Sequence, residues 1–141
     1  MESESSPIAH TKHGDLTLDQ IAECLPGMSR LMVEVSDRYW ILYYAAKAGK
    51  WDLARHEFSE LRKTMRLAAL VRPKYQEPLD QFDAEYMKPL EQAIRAKDWP
   101  AFDDAYQKGI DGTNENHRTL GYSYIEWQLP DTPPPHLRLN E

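Results

Sequence analysis

The chain has 141 residues, enough for one domain with its own core, and carries 17 Lys and Arg against 23 Asp and Glu for a net charge of −6. That charge repels phosphate backbones, which excludes nucleic acid as an expected partner, and no run of Lys or Arg favours an anionic membrane. No apolar stretch reaches the length of a bilayer span, and Cys24, the only cysteine, excludes an internal disulfide, a four-cysteine zinc site and a CxxC redox pair.

Residues 1–15 are rich in Ser, Gly, His and charge and read as a flexible N-terminal arm. They lack the basic start and apolar run of a secretory signal, so the expected compartment is cytoplasmic. Thr17 and Gln20 have capping-box spacing, and Ile21, Cys24 and Leu25 give a short apolar face, so a short helix is expected before Pro26-Gly27. In the first long helix, Met28, Leu31, Met32, Val35, Tyr39, Leu42 and Ala46 recur at steps of three and four and mark one helical face. It should end at Ala48-Gly49, where glycine suits the left-handed cap.

A second helix starts near Trp51, with Ala54, Phe58, Leu61, Met65 and Ala68 as its inner stripe and Pro73 as its stop. A third starts at Pro78 and carries Leu79, Phe82, Tyr86, Leu90 and Ala93, with a kink expected at Pro89. Asp98 is the expected N-cap of the fourth, in which Phe102, Tyr106, Ile110, Thr113, His117 and Leu120 follow at helical spacing before Gly121. A weak repeat relates residues 45–51 to residues 93–99, each a tight turn with a Trp opening the next helix. Two antiparallel helical hairpins follow. The expected fold is all-α: an up-down-up-down four-helix bundle over residues 16–129, including the short N-terminal helix, with an extended Pro-rich tail over 130–141.

Among groups that carry chemistry, His117 stands out. Periodicity places it on the apolar face near the end of the last helix, and the antiparallel order sets that end beside Met28 and Met32. Two readings are open: an imidazole and a thioether facing each other as an axial pair for haem iron, or a buried histidine bonded to a tyrosine or carboxylate beside methionines used as core filler. His56 lies beside Glu57 and four residues before Glu60, where a solvated surface position is expected. His10, His13 and His136 are expected to bind nothing specific. No Glu is followed by His three residues later, which argues against a carboxylate-bridged di-metal centre. No GxGxxG, Walker A or GxSxG motif is present, and Cys24 reads as a buried, inert thiol. The dense aromatics at Tyr39, Trp40, Tyr43 and Tyr44, and again at Tyr122, Tyr124 and Trp127, are expected to pack the helix seams, with a dimer face as the second reading and a slot for a planar apolar ligand as the third.

Leu25-Pro26-Gly27-Met28 with Met32, the run from Leu42 to Ala54, Glu57 with Glu60-Leu61, and then Pro89-Leu90, Ala93-Ile94, Phe102 and Ala105-Tyr106 resemble small bacterial four-helix-bundle c-type cytochromes over roughly residues 25–135. The resemblance implies that Thr113-Asn114-Glu115-Asn116-His117 occupies the place of the Cys-x-x-Cys-His haem-attachment motif. Thr113 and Asn116 then stand at the two cysteine positions and His117 at the iron-ligand position. Neither Thr nor Asn can add to a haem vinyl group as a thiolate does, so covalent attachment is lost. What the resemblance leaves is non-covalent haem, or another small planar apolar ligand, held near His117 with Met32 or Met28. The alternatives are a haem-free structural or interaction module acting as a homodimer, and an enzyme that reuses the vacated pocket with His117 as its acid or base.

Overall fold

The computed structural model describes residues 8–139, and it is mostly helical with a small two-stranded sheet. The sheet replaces part of the flexible arm expected over residues 1–15; the first seven residues lie outside the described region. Strands β1 (Ile8–Thr11) and β2 (Gly14–Thr17) pair antiparallel, with His10 opposite Asp15 and Thr11 opposite Gly14. Local hydrogen bonds hold this polar hairpin. His10 Nδ1 meets Asp15 Oδ1 at 2.8 Å across the strands, and the Thr11 hydroxyl donates to the Gly14 carbonyl at 2.7 Å. Gly14 has φ +131°, which only glycine adopts without strain.

Helix α1 (Leu18–Glu23) opens on the expected capping box: the Gln20 N–H donates to Thr17 Oγ1 at 3.1 Å, and the Thr17 N–H donates to Gln20 Oε1 at 2.8 Å. None of its residues is buried. Cys24 just beyond it is exposed, which corrects the expectation of a buried thiol. The three-residue face of Ile21, Cys24 and Leu25 lies on an element too short to be carried into the core.

Helices α2 (Met28–Lys47) and α3 (Trp51–Val71) pack along each other. Helix α4 (Gln76–Phe82) follows a 3₁₀ turn at Pro73–Tyr75, and α5 (Lys88–Ala96) packs on α6 (Trp99–Thr119). Helix α2 also touches α6, and α3 touches α5, so the four longer segments share one core. Leu42, Leu61, Leu90 and Phe102 lie at its centre, each at most 1% exposed.

The two turns of the sequence repeat are the same structure. After α2, Gly49 N–H donates to Ala46 O and Lys50 N–H to Ala45 O; after α5, Lys97 N–H donates to Ile94 O and Asp98 N–H to Ala93 O. Both are Schellman caps. The first has Gly49 at φ +75°, whereas the second places Lys97 at φ +53°. Asp98 then caps α6 through the Ala101 N–H at 3.1 Å.

The kink expected at Pro89 takes the form of a π-helical turn over Asp83–Met87, immediately before α5. Proline has no N–H for the Glu85 carbonyl, and upstream of it the Lys88 N–H reaches back five residues to Asp83 O. Beyond α6, residues 121–139 contain neither helix nor strand. They bond back to the helices: Tyr44 OH donates to Pro130 O at 2.7 Å, Trp40 Nε1 to Thr132 O at 2.9 Å, and Lys50 Nζ to Arg138 O at 2.6 Å. Pro134 and Leu139 are buried, so this segment closes one side of the core.

Candidate functional site

The first turns of α2 and the last turns of α6 flank an apolar cavity of about 450 Å³ that is bordered by α3, α4 and the segment after α6 and opens to solvent. Met28, Met32 and His117, the three residues singled out by spacing, all line it, as do Thr113 and Asn116. The sequence contains five methionines; the four that follow the first residue, Met28, Met32, Met65 and Met87, all line this one space. Unbranched thioethers adapt their shape to what they contact, and their sulfur is a soft, polarisable donor. Among the described residues Asp37 is the one acidic side chain in the wall, at its rim, and no Lys or Arg lines it.

His117 is half-buried on the last turn of α6. Its Nδ1 lies 3.0 Å from the Ile125 carbonyl oxygen. A carbonyl only accepts, so Nδ1 carries the proton of this bond, and in the neutral ring Nε2 keeps its lone pair. Nε2 has no hydrogen-bond partner among the described residues. The expected tyrosine or carboxylate partner is thus replaced by the backbone. The histidine's own chain makes this possible: Gly121, at φ +91°, reverses direction after α6, the Tyr122 N–H donates to His117 O, and Ile125 is brought back beside the ring.

Trp127 forms part of the same wall. It stands 6.5 Å from the His117 ring and 5.6 Å from Tyr39, centroid to centroid. Asn114 fixes it from α6: the Trp127 N–H donates to Asn114 Oδ1 at 2.7 Å, and Asn114 Nδ2 donates to Trp127 O at 3.0 Å. At the rim, Tyr75 and Tyr122 share a hydrogen bond of 2.9 Å that joins the turn before α4 to the segment after α6. That bond pushes the Tyr122 phenol above its ordinary pKa. Tyr39, Tyr122 and Trp127 were legible as aromatics that could form a planar slot, but the Tyr75–Tyr122 bond was not: the two are 47 positions apart, and no periodicity connects them.

The remaining candidates lie elsewhere. His56, His13 and His136 are exposed, and His10 is engaged with Asp15 in the hairpin. Among the described residues no three His, Cys, Asp or Glu side chains converge as a metal site. The aromatics of α2 pack inward, as expected: Tyr39 and Tyr106 stack at 4.0 Å, and each hydroxyl donates to the other residue's carbonyl, at 2.8 and 2.7 Å. Loss of solvent drives both phenol pKa values well up, so this pair stays neutral.

No helix among the described residues is long and apolar enough to cross a membrane. No protein-family model, curated protein or solved structure matches the chain.

Proposed function

We propose that this chain is a cytochrome-like protein, built as an up-down-up-down four-helix bundle with a tail strapped over it. In this reading it holds haem non-covalently, or another planar apolar ligand, in the cavity beside His117, and works in the cytoplasm. One observation carries the proposal: four methionines and a histidine whose Nδ1 is already engaged by a carbonyl line one apolar space.

The donor set fits an iron porphyrin. Histidines that bind metal through Nε2 commonly donate Nδ1–H to a carbonyl or carboxylate, which fixes the tautomer and the ring plane. His117 has that second bond, and Met32 and Met28 offer thioethers from the facing helix. The volume falls within the range of small-molecule sites, and Trp127 and Phe82 offer rings to a flat ligand. Bound haem would supply one-electron chemistry at its iron. The protein's part is to orient the imidazole, exclude water and set the polarity around it. Among the described residues His117 has no acid or base side chain as a partner, so the arrangement favours a ligand over a proton-transferring residue.

A hemin titration followed by absorbance tests the proposal. A saturable Soret shift at one equivalent is expected, weakened or altered in shape by His117→Ala and less so by Met32→Ala. An unsaturable shift, or one identical in His117→Ala, would sink it.

A further inference from the structure

Residues 8–25 form a folded arm that contributes nothing to the core. The hairpin has its cross-strand bonds and α1 its capping box, yet none of these residues is buried. A two-stranded hairpin and a six-residue helix are each marginal alone in water, and they hold their shape when an apolar face is covered. The arm has such a face. Leu18, Ile21 and Leu25 follow at steps of three and four, and Leu18 and Leu25 are 52% and 43% exposed. Asp19 and Glu23, four residues apart, set acid beside it.

The end of α3 carries the complementary face. Lys63, Leu67 and Leu70 stand at steps of four and three on one outward stripe, with Leu67 41% and Leu70 75% exposed. From Leu61 to Gln76 the sequence holds Arg62, Lys63, Arg66, Arg72 and Lys74 and no Asp or Glu. Three of these cations have acids near them from other positions: Arg62 has Asp83 and Glu91, Lys63 has Glu60, and Arg66 lies in the field of Asp83. Arg72 instead donates to the Val71 carbonyl at 2.9 Å, and Lys74 lies over the Tyr75 ring. Among the described residues neither Arg72 nor Lys74 forms an ion pair, and neither does Asp19 or Glu23.

Within one chain both faces stay open. Only Pro26 and Gly27 stand between Leu25 and α2, and the Arg72 guanidinium lies close against Gly27. The arm is thus joined to the bundle by a short, stiff hinge, the setting in which identical elements exchange between copies. We propose that the chain forms a two-fold dimer in which α1 of each copy lies on the end of α3 of the other. Leu18, Ile21 and Leu25 cover the two exposed leucines, and Asp19 and Glu23 turn towards Arg72 and Lys74. A second copy is the partner because each chain carries one acidic apolar face and one basic apolar face, uses neither, and satisfies both at once about a two-fold axis. The faces are small, so the dimer is weak, with a dissociation constant in the micromolar range. The contact does not depend on what the cavity holds.

Sedimentation equilibrium of the full chain, from about 5 to about 500 μM, tests this. A monomer–dimer equilibrium is expected. Leu18→Glu and Leu70→Glu should each weaken it about tenfold, with the thermal midpoint of the dilute protein unchanged, because neither side chain belongs to the core. Charge reversal then tests which faces meet. Glu23→Lys and Lys74→Glu should each weaken association about fivefold, and an equimolar mixture of the two should regain it, since the mixed dimer sets opposite charges together at both contacts. A chain that stays monomeric throughout, a dimer that Leu18→Glu and Leu70→Glu leave intact, or a mixture that associates no better than its components would each overturn the proposal.

Discussion

The two ends of α2 and α6 are built from similar residues to opposite effect. Where α2 ends and α6 begins, Tyr43, Trp51, Trp99 and Phe102 pack ring against ring, with Tyr43 and Trp99 at 5.4 Å and Trp99 and Phe102 at 5.7 Å, and Phe102 has no exposed surface. Where α2 begins and α6 ends, the same helices leave about 450 Å³ between them. The connections account for much of this. At the filled end, two Schellman turns bring consecutive helices into immediate contact. At the other end, Pro26-Gly27, Arg72-Pro73 and Gly121 carry the chain away from the axis, and the space between is bounded by methionines and by loops tied through Tyr75 and Tyr122. Close packing is thus a property of the short turns, and the cavity exists where the chain has room to diverge.

The contrast has measurable consequences, the largest first. Phe102→Ala should cost about 4 kcal/mol in urea unfolding, because a fully buried ring leaves a hole that its rigid neighbours cannot fill. Phe82→Ala, in the wall of the existing cavity, should cost much less, about 1 kcal/mol. Equal losses would erase the distinction between the two ends.

Gly109→Ala sharpens it next. Helix propensity alone predicts a gain of about 1 kcal/mol. A Cβ at Gly109, however, would fall on the Tyr39 hydroxyl and break the reciprocal bonds with Tyr106, so a net loss of about 2 kcal/mol is expected. The smaller backbone prediction concerns the repeated turn. Lys97→Gly should stabilise by about 0.5–1 kcal/mol because φ +53° costs a side chain and not a glycine. Gly49→Ala should destabilise by a similar amount through the same geometry, since nothing lies near its Cβ position.

Acid should act through the ion pairs that join α3 to its neighbours, away from the cavity. Asp83 is held below its usual 3.8 by its hydrogen bond to Arg62, and Glu34 below its usual 4.5 by the Thr64 hydroxyl and by Arg38. A depressed folded pKa adds stability above the unfolded value and loses it as pH falls through the folded one. The thermal midpoint should therefore be level near neutrality and fall below about pH 4.5, less steeply in Asp83→Asn.

Much of the helical order was legible because apolar steps of three and four, Pro and Gly stops, and the repeat around Trp51 and Trp99 all agree. The same antiparallel logic brought His117 to Met28 and Met32. Other features were hidden for physical reasons. The β1–β2 hairpin has polar strands held by side-chain bonds, and so no alternation of apolar residues announces it. Pro89 marked the disturbed stretch but not its form, since a lost donor can yield a kink or a π turn. Cys24 looked buried on a face that proved too short to enter the core. Trp127 and Tyr122 stood out as aromatics, but their segment has no periodicity to place them, and their positions are set by Asn114 and Tyr75.

The end holding His117 is expected to take a planar ligand, and the filled end is not. Titrating zinc protoporphyrin into ¹⁵N-labelled protein and following the amide signals tests it most directly. One-to-one binding is expected, with shifts concentrated in residues 28–36, 113–120 and around Trp127, and little change at Tyr43, Trp51, Trp99 and Phe102. Shifts centred on that aromatic cluster, or spectra that do not change at all, would contradict it.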